Sequence, residues 1–174
     1  MRVTESVITE VVEEVGGPEA VALIGILRKN RKKVSEFKLA ALSDMDIKTV
    51  RNILYKLFHV NLVTYTRRKD RQKGWYIYSW IFNKKRVPDL YISLKHQKIE
   101  KLRGRLEKER TGQFYICPDL TLRMDFEHAM NFDFRCPECG KLLMPVENDK
   151  TISNIEAQVA ELEKILAKVD KKQD

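Results

Sequence analysis

The chain has 174 residues, of which 43% are hydrophobic and 33% are charged, a composition that supplies both a core and a solvated surface. No apolar run approaches the length of a membrane span, and acidic residues interrupt the apolar pattern of the N-terminus. We therefore expect neither a membrane anchor nor a signal peptide. Three cysteines are too few for a disulfide framework and favour a reducing, intracellular compartment.

The net charge of +8 is distributed unevenly along the chain. Residues 1–90 carry the whole excess, whereas residues 91–174 hold equal numbers of acidic and basic side chains. A basic segment joined to a neutral one indicates a polyanionic partner for the first and a protein partner for the second. A solvated basic surface without a partner fits the composition equally well. The sequence motifs are therefore needed to distinguish these two interpretations.

Hydrophobic periodicity predicts four helices in the first half of the chain. The first covers residues 3–15, and Pro18 suits the first turn of the second. Ser35 and Asp46 are the predicted N-caps of the third and fourth helices, and Asn61 suits the left-handed residue that ends a helix. The apolar positions are Ala20, Leu23, Ile24 and Leu27 in the second helix, Phe37, Leu39 and Leu42 in the third, and Ile47, Val50, Ile53, Leu54, Leu57 and Phe58 in the fourth.

A two-stranded hairpin follows these helices, with strands LVTYTRR and WYIYSWIF around the turn-rich tip KDRQKG. Helix, helix, turn, helix and hairpin is the order of a winged helix-turn-helix domain, which we assign to residues 1–87. The exposed face of the fourth helix could read bases in a groove or be an ordinary solvated face, and the sequence leaves both open. That face carries Lys48, Thr49, Arg51, Asn52, Tyr55 and Lys56.

The second half of the chain predicts a long linking helix over residues 88–112, a small cysteine-containing β module over 113–148, and a C-terminal helix with a polar tail over 149–174. The last helix has a short heptad seam, which could pack on residues 92–106 or on a second copy of the chain. We expect the first arrangement, because the module between the two helices brings them together. The predicted fold class is therefore α+β: a winged helix-turn-helix domain, a linking helix, a small zinc-ribbon-like β module and a C-terminal helix.

The hairpin concentrates cations and aromatic side chains. Cations crowded at one tip repel each other unless solvent or phosphate screens them, and phosphate contacts give affinity without sequence information. One face of the hairpin has to pack on the helices, so aromatic residues on the other face are left for unpaired bases or for a protein partner. The alternative is that the N-terminal helix covers those rings and the tip is only solvated. The predicted site residues are Arg67, Arg68, Lys69, Arg71 and Lys73 for DNA binding, and Trp75, Tyr76, Tyr78 and Trp80 for contact with nucleic acid or a protein.

The segment CPECG, residues 136–140, has the form of a zinc knuckle. Cys136 and Cys139 are spaced so that both thiolates can share one metal ion. Cys117, 19 positions before Cys136, lies where a zinc ribbon places its other pair, but Leu120 occupies the position of the fourth cysteine. The remaining candidates for a fourth ligand are Asp119, Asp125 and His128, and none of them matches the ribbon pattern.

An apolar stripe in the same module suggests what could replace the metal. Leu120, Leu122, Met124 and Phe126 alternate with polar residues, which predicts a strand with one apolar face, and Phe132 and Phe134 are expected to pack against it from the far side. Our hypothesis is a ribbon held mainly by packing, in which zinc is absent or weakly bound. One tightly held zinc ion per chain would contradict this hypothesis.

GWYIYSW, FEHAM and FRCPECG, in this order and at this separation, resemble archaeal transcription factor E, a family similar to the N-terminal half of the large subunit of eukaryotic general transcription factor IIE. The resemblance covers nearly the whole chain. It implies a general initiation factor that binds the clamp and stalk of RNA polymerase and promoter DNA, and that stabilises the open complex with the hairpin near the non-template strand.

The resemblance also assigns roles to residues of this chain. The hairpin cations named above take the DNA-binding role, the four aromatic residues take the contact role, and Cys117, Cys136 and Cys139 take the ribbon positions. The TATA-binding protein and a second small subunit are further candidate partners. We expect a protein of the archaeal cytoplasm, associated with the nucleoid and monomeric on its own.

Two other functional classes compete with this interpretation. A winged-helix repressor that senses metal or redox state through its cysteines would dimerise and bind a palindrome. An enzyme is not expected, because the three histidines are far apart in the sequence and the chain has no phosphate loop, nucleophile elbow or HExxH motif.

Overall fold

The protein is described by a computed structural model that covers residues 3–30, 32–71, 74–119 and 122–170. These residues form a mixed α and β structure, and the chain divides into two compact units, Met1–Leu94 and Lys95–Asp174. The finer four-part division predicted from the sequence stays a prediction. Within the described residues, every helix is too short or too polar to cross a bilayer.

The order of helices predicted from the sequence is present. The helices are α1 (Glu5–Gly16), α2 (Pro18–Lys29), α3 (Glu36–Ser43), α4 (Ile47–His59), α5 (Val87–Thr111), α6 (Phe126–Asn131) and α7 (Asp149–Asp170). The strands are β1 (Val34–Ser35), β2 (Val63–Lys69), β3 (Tyr76–Phe82), β4 (Phe114–Ile116), β5 (Arg123–Asp125) and β6 (Met144–Val146). They pair into two antiparallel sheets, ordered β1-β3-β2 in the first unit and β5-β4-β6 in the second.

The predicted end residues of α2, α3 and α4 are confirmed, whereas α1 begins at Glu5, two residues later than predicted. Pro18 lies in the first turn of α2, and the Ser35 hydroxyl accepts a hydrogen bond from the backbone N–H of Lys38 at the start of α3. The Asp46 carboxylate accepts from two backbone N–H groups in the first turn of α4. Asn61 has a φ of 61°, which is the left-handed conformation predicted for it.

The apolar stripes of α2 and α4 supply the core of the first unit. Every predicted apolar position of α2 is buried, whereas in α3 only Leu39 is buried and Phe37 and Leu42 are exposed. An eight-residue helix can turn only a narrow face to the core, and α3 uses that face for Leu39 and Glu36. In α4 the buried positions are Val50, Ile53, Leu54 and Leu57.

Glu36 is a carboxylate buried in this core, with 3% of its surface exposed. One carboxylate oxygen accepts from Arg51 Nε at 2.7 Å, and the other accepts from Trp80 Nε1 at 3.2 Å. The carboxylate therefore joins α3, α4 and β3. A buried charge is tolerated when it is paired and hydrogen-bonded in this way.

The second unit has a small core beside its three-stranded sheet. Cys117, Ala129, Cys136 and Leu143 are buried, and Tyr115, Leu122, Met124 and Phe134 pack against them. The predicted stripe is thus present at Leu122 and Met124, and Phe134 packs as predicted. The prediction was wrong for Phe132, which is 47% exposed, and for the strand at Phe126, although the Phe126 ring, 43% exposed, still packs on Phe134 with the ring centroids 5.7 Å apart. Phe126 starts α6 instead of continuing the strand, because Asp125 caps that helix by accepting from the backbone N–H of His128.

The C-terminal helix packs within the chain, as predicted. Arg103 pairs with Glu163 at 2.8 Å and Arg110 pairs with Glu156 at 2.5 Å, so α7 runs antiparallel to the second part of α5. Its seam residues Ile155, Leu162, Leu166 and Val169 are buried. The helix that could have formed a dimer contact is therefore used inside the second unit.

A buried ion pair connects three elements of the second unit. Arg123 of β5 donates to both carboxylate oxygens of Glu109 on α5, at 2.9 and 2.6 Å, and also donates to Asn148, just before α7. The Arg123 guanidinium lies 3.9 Å from the ring centroid of Phe114. The hydrogen bonds from Arg123 lower the pKa of Glu109 despite its burial.

This pair predicts a pH-dependent stability. Since the folded-state pKa of Glu109 is lowered, its contribution is full above the unfolded-state pKa of about 4.3 and is lost as the pH falls through the folded value. Glu109→Gln should lower the free energy of unfolding by about 1.5–3 kcal/mol at pH 7 and by much less near pH 3. Urea denaturation at both pH values measures this, with the exposed Glu107→Gln as control. A difference that does not change with pH would contradict the assignment.

Candidate nucleic-acid interface and cysteine site

The basic hairpin consists of β2, β3 and their connection, residues 63–82. Its strands are seven residues long, and the connection is closed by a hydrogen bond from Asp70 N to Trp75 O at 2.8 Å. Gly74 has a φ of 73°, a left-handed conformation that glycine adopts without strain. The side chains of Arg67, Arg68, Lys69 and Arg71 are exposed, whereas Lys73 lies outside the described residues.

The pairing of the strands decides which cations share a face with the rings. Arg67 lies opposite Tyr78 and Lys69 lies opposite Tyr76, so these four side chains occupy one face. Arg68 belongs to the other face. The Arg67 guanidinium lies 5.0 Å from the ring centroid of Tyr76, within cation–π range. One face of the basic hairpin therefore presents cations and aromatic rings together.

The ring-bearing face continues from the hairpin onto α4 as a chain of aromatic contacts. The Tyr65 ring centroid lies 5.2 Å from that of Tyr78, 5.0 Å from that of Trp80 and 5.1 Å from that of Phe58. Tyr55 meets Trp80 edge to face at 5.9 Å. The exposed rings on this surface are Tyr55, Tyr65 and Tyr76, and the half-buried Tyr78 lies between them.

The structure corrects the prediction for Trp80. Its side chain is fully buried beneath α4 and hydrogen-bonded to Glu36, so it is a core residue and has no surface for a partner. Trp75 and Tyr76, near the tip, are 51% and 50% exposed. The base of the hairpin packs on α4 while its tip extends past the helix, which explains why Tyr76 and Trp80 differ so strongly in exposure although they share one face.

Tyr65 belongs to this surface but was missed by the sequence analysis. It is 37% exposed, and Tyr55 on α4 is 42% exposed. The signal for Tyr65 was its position two residues before Arg67 on the same strand, which places both side chains on one face. Of the candidate groove-facing residues of α4, Arg51 is held by Glu36 and Tyr55 by Trp80, so both have fixed positions.

The three cysteines come together as the spacing predicted. The Sγ atoms of Cys117, Cys136 and Cys139 all lie within 4.8 Å of one another, and those of Cys117 and Cys139 are 3.4 Å apart. Gly140, with a φ of 72°, closes the turn by donating its N–H to the carbonyl of Cys136. Cys117 and Cys136 are buried and Cys139 is exposed.

The local hydrogen bonds shift the pKa values of Cys136 and Cys139 in opposite directions. Burial raises the pKa of Cys136. The backbone N–H groups of Cys139 and Glu138 and the neighbouring thiols together lower it by more, so this pKa lies below its usual range. The backbone N–H of Lys141 lowers the pKa of Cys139, but the adjacent Cys117 thiol and burial outweigh this and raise it. Thiolate is the form of cysteine that binds metal ions.

The other predicted ligand candidates are engaged elsewhere. Asp119 forms an ion pair with Lys141. Asp125 accepts from both the backbone N–H and Nδ1 of His128, and both side chains are exposed. Among the residues that the structure describes, the three cysteines form the group able to hold a metal ion. They fit three corners of a tetrahedral site and do not complete the four-ligand site typical of a structural zinc ribbon.

Comparison with known proteins identifies the family. Residues 6–111 match the family model of the TFIIE alpha subunit. A transcription factor E of Thermococcus kodakarensis is 36% identical over 159 residues, covering 88% of this chain and 83% of the relative. The same factor of Metallosphaera sedula is 32% identical over 155 residues, covering 89% of this chain and 88% of the relative.

A third relative, the transcription factor E of Pyrococcus horikoshii, is 35% identical over 156 residues, covering 88% of this chain and 81% of the relative. A solved structure described as a possible transcriptional regulator from Methanosarcina mazei Go1 superposes with a TM-score of 0.47 at 15% identity, covering 60% of this chain and 86% of that chain. On the family match and the identity to these factors, the chain belongs to the TFIIE alpha and transcription factor E family, whose members are general transcription factors and not enzymes.

Proposed function

We propose that the protein binds the clamp and stalk of RNA polymerase together with promoter DNA, and that it stabilises the open complex. In this proposal residues 1–87 form a winged helix-turn-helix domain whose wing is the basic hairpin. Residues 88–112 link it to a degenerate zinc ribbon over residues 113–148. The observation that carries the proposal is the exposed face of the basic hairpin, where Arg67 and Lys69 lie beside Tyr76 and Tyr78.

This face suits separated strands better than a closed duplex. Arg67 and Lys69 are placed to contact phosphates, which supplies affinity without sequence preference. The rings beside them can stack on bases only when those bases are unpaired, and such stacking contributes about 1–3 kcal/mol per base. A protein that holds single-stranded DNA in this way binds the melted promoter more tightly than the closed one.

The mechanism needs only a difference in binding between two states. A ligand shifts an equilibrium by its differential affinity for the two conformations. An additional interaction of about 1.4 kcal/mol in the open complex raises the ratio of open to closed complexes about tenfold. Two or three ordinary stacking or phosphate contacts at the non-template strand are enough to supply that difference.

Residues 91–174 are the part of the chain that we expect to bind protein partners. They are neutral overall, whereas the first half carries the positive excess. The TATA-binding protein and a second small subunit are further candidate partners, and we place the protein with the nucleoid in the archaeal cytoplasm. We expect zinc to be absent or weakly bound, since packing around Leu143 and Phe134 supports the module without it.

A dimeric repressor is less well supported. The seam of α7 that such a repressor would use for dimerisation faces α5 inside the second unit. Family membership also favours a general factor. A monomer in solution without sequence-specific binding to duplex DNA would agree with the proposed function.

An open-complex assay tests the proposal. Archaeal RNA polymerase, the TATA-binding protein and transcription factor B are assembled on a weak promoter, and melting is followed with and without the protein. We expect more melted promoter when the protein is present, and little gain on a template that carries a pre-formed bubble. Unchanged melting at the weak promoter would contradict the proposed function.

A further inference from the structure

Among the described residues, the cysteine site brings together three sulfur ligands and no fourth protein donor. Asp119 pairs with Lys141, and Asp125 and His128 bond to each other at the surface. Leu120, where the ribbon pattern places the fourth cysteine, lies outside the described residues, but a leucine side chain has no atom that coordinates a metal ion. A metal ion held here would have an incomplete shell of protein ligands.

The sulfur geometry nevertheless fits a tetrahedral ion. With metal–sulfur bonds of about 2.3 Å, two sulfurs at neighbouring corners lie about 3.8 Å apart. The observed separations are 3.4 Å for Cys117 and Cys139 and at most 4.8 Å for the other pairs. Cys117 and Cys136 lie inside the core of the module, whereas Cys139 is at the surface. The site therefore has a closed side and a solvent-accessible side.

We propose that Cys117, Cys136 and Cys139 form an open three-thiolate site for a thiophilic divalent ion, whose fourth position accepts an exchangeable external ligand, preferentially a thiolate. Sites with three protein ligands keep their fourth position for water or another small ligand, and soft ions prefer sulfur. The ribbon pattern has a fourth cysteine at position 120, where this chain has leucine. An external thiolate supplies the sulfur that this leucine cannot.

The surroundings of the site favour an added anionic ligand. Arg135 donates from its guanidinium to the carbonyl of Gly140, next to Cys139, and Lys141 follows on the same turn. Arg135 therefore carries a positive charge on the turn that holds Cys139, and this charge can offset part of the negative charge that a fourth thiolate adds to a three-thiolate centre, whereas the charge of Lys141 is already paired with Asp119. The inference concerns the cysteine site alone and does not depend on the proposed role at the promoter.

Cobalt(II) absorption tests the proposal, because the visible bands and the thiolate-to-cobalt charge-transfer band report the number of sulfur ligands. Reduced protein is titrated with cobalt in a phosphine reductant, and 2-mercaptoethanol is then added. For the unmodified chain we expect tetrahedral bands, and a charge-transfer intensity that rises by about one third when the external thiol completes the shell. Imidazole in place of the thiol should shift the visible bands without that increase.

Leu120→Cys is the matched variant. This variant restores the missing ligand, so its charge-transfer intensity should correspond to four thiolates before any 2-mercaptoethanol is added and should not change afterwards. It should also bind cobalt more tightly, by on the order of a hundredfold. Cys139→Ser is the opposite control and should lose about one third of the charge-transfer intensity of the unmodified protein.

Two results would overturn the proposal. If the unmodified chain already shows the intensity of Leu120→Cys and ignores the external thiol, a fourth protein ligand closes the site. If it binds no cobalt at millimolar concentration while its three thiols are reduced, the cluster is not a metal site. Should Leu120→Cys fail to fold, the thiol response of the unmodified chain and its loss of intensity in Cys139→Ser still decide the question.

Discussion

Reversing the charge of Arg67, Arg68 and Lys69 to glutamate is expected to abolish most of the stimulation of promoter melting at a weak promoter. All three side chains are exposed, and Arg67 and Lys69 lie on the face that carries the rings. Each phosphate contact that is lost on a single strand reduces the magnitude of the slope of log K against log salt by about 0.7, so the loss of three contacts reduces it by about 2. Affinity for bubble DNA should fall on the order of a hundredfold near physiological salt.

Binding to bubble DNA at several salt concentrations and an open-complex assay measure these two effects. The matched control reverses three exposed lysines of the same unit that lie outside the hairpin, Lys38, Lys84 and Lys85, and so changes the net charge by the same amount. That control should keep most of the stimulation. Equal losses in the two triple variants would show that net charge matters and that the basic hairpin has no special role.

Trp80→Ala is expected to have the largest effect on stability, lowering the free energy of unfolding of the first unit by about 3–5 kcal/mol. Trp80 is fully buried, its ring contacts Tyr55, Phe58 and Tyr65, and its Nε1–H donates to the buried carboxylate of Glu36. Truncation leaves a large cavity and removes one of the hydrogen bonds that satisfy Glu36. Since small domains are stable by only about 5–15 kcal/mol, this loss is a large fraction of the total.

Trp75→Ala provides the control, because Trp75 is 51% exposed near the tip of the hairpin. Its substitution should change stability by no more than about 0.5 kcal/mol, as is usual for surface positions. Urea denaturation followed by circular dichroism measures both variants, and Trp80→Phe should fall between them because it keeps a ring but removes the donor. Similar losses for Trp75 and Trp80 would contradict the burial of one and the exposure of the other.

Local chemistry made part of the fold predictable from the sequence. The caps at Ser35 and Asp46 and the left-handed Asn61 depend on residues only a few positions away, and all three are present. The meeting of Cys117 with Cys136 and Cys139 followed from spacing that the ribbon pattern constrains. The cap residues depend on a short stretch of chain, whereas the cysteines were predictable because their spacing matches a known pattern.

Most errors occurred where packing between distant parts of the chain determines the structure. Alternation along β3 indicates which side chains share a face, but not how far α4 extends along the hairpin, and so the burial of Trp80 was missed. The partnership of Glu36 with Arg51 joins residues 15 positions apart through tertiary structure. At Phe126 two local signals competed: apolar alternation favoured a strand, but the helix cap at Asp125 prevailed.

The most direct test of the proposed role is site-specific photo-crosslinking from the ring-bearing face of the basic hairpin. A benzophenone amino acid replaces Tyr76, which is 50% exposed beside Arg67, and the same group at the exposed Glu14 of α1 serves as control. In assembled open complexes we predict crosslinks from position 76 to the non-template strand at the upstream edge of the bubble, and none from position 14. Equal crosslinking from both positions, or none to DNA from position 76, would contradict the claim that this hairpin holds the separated strands.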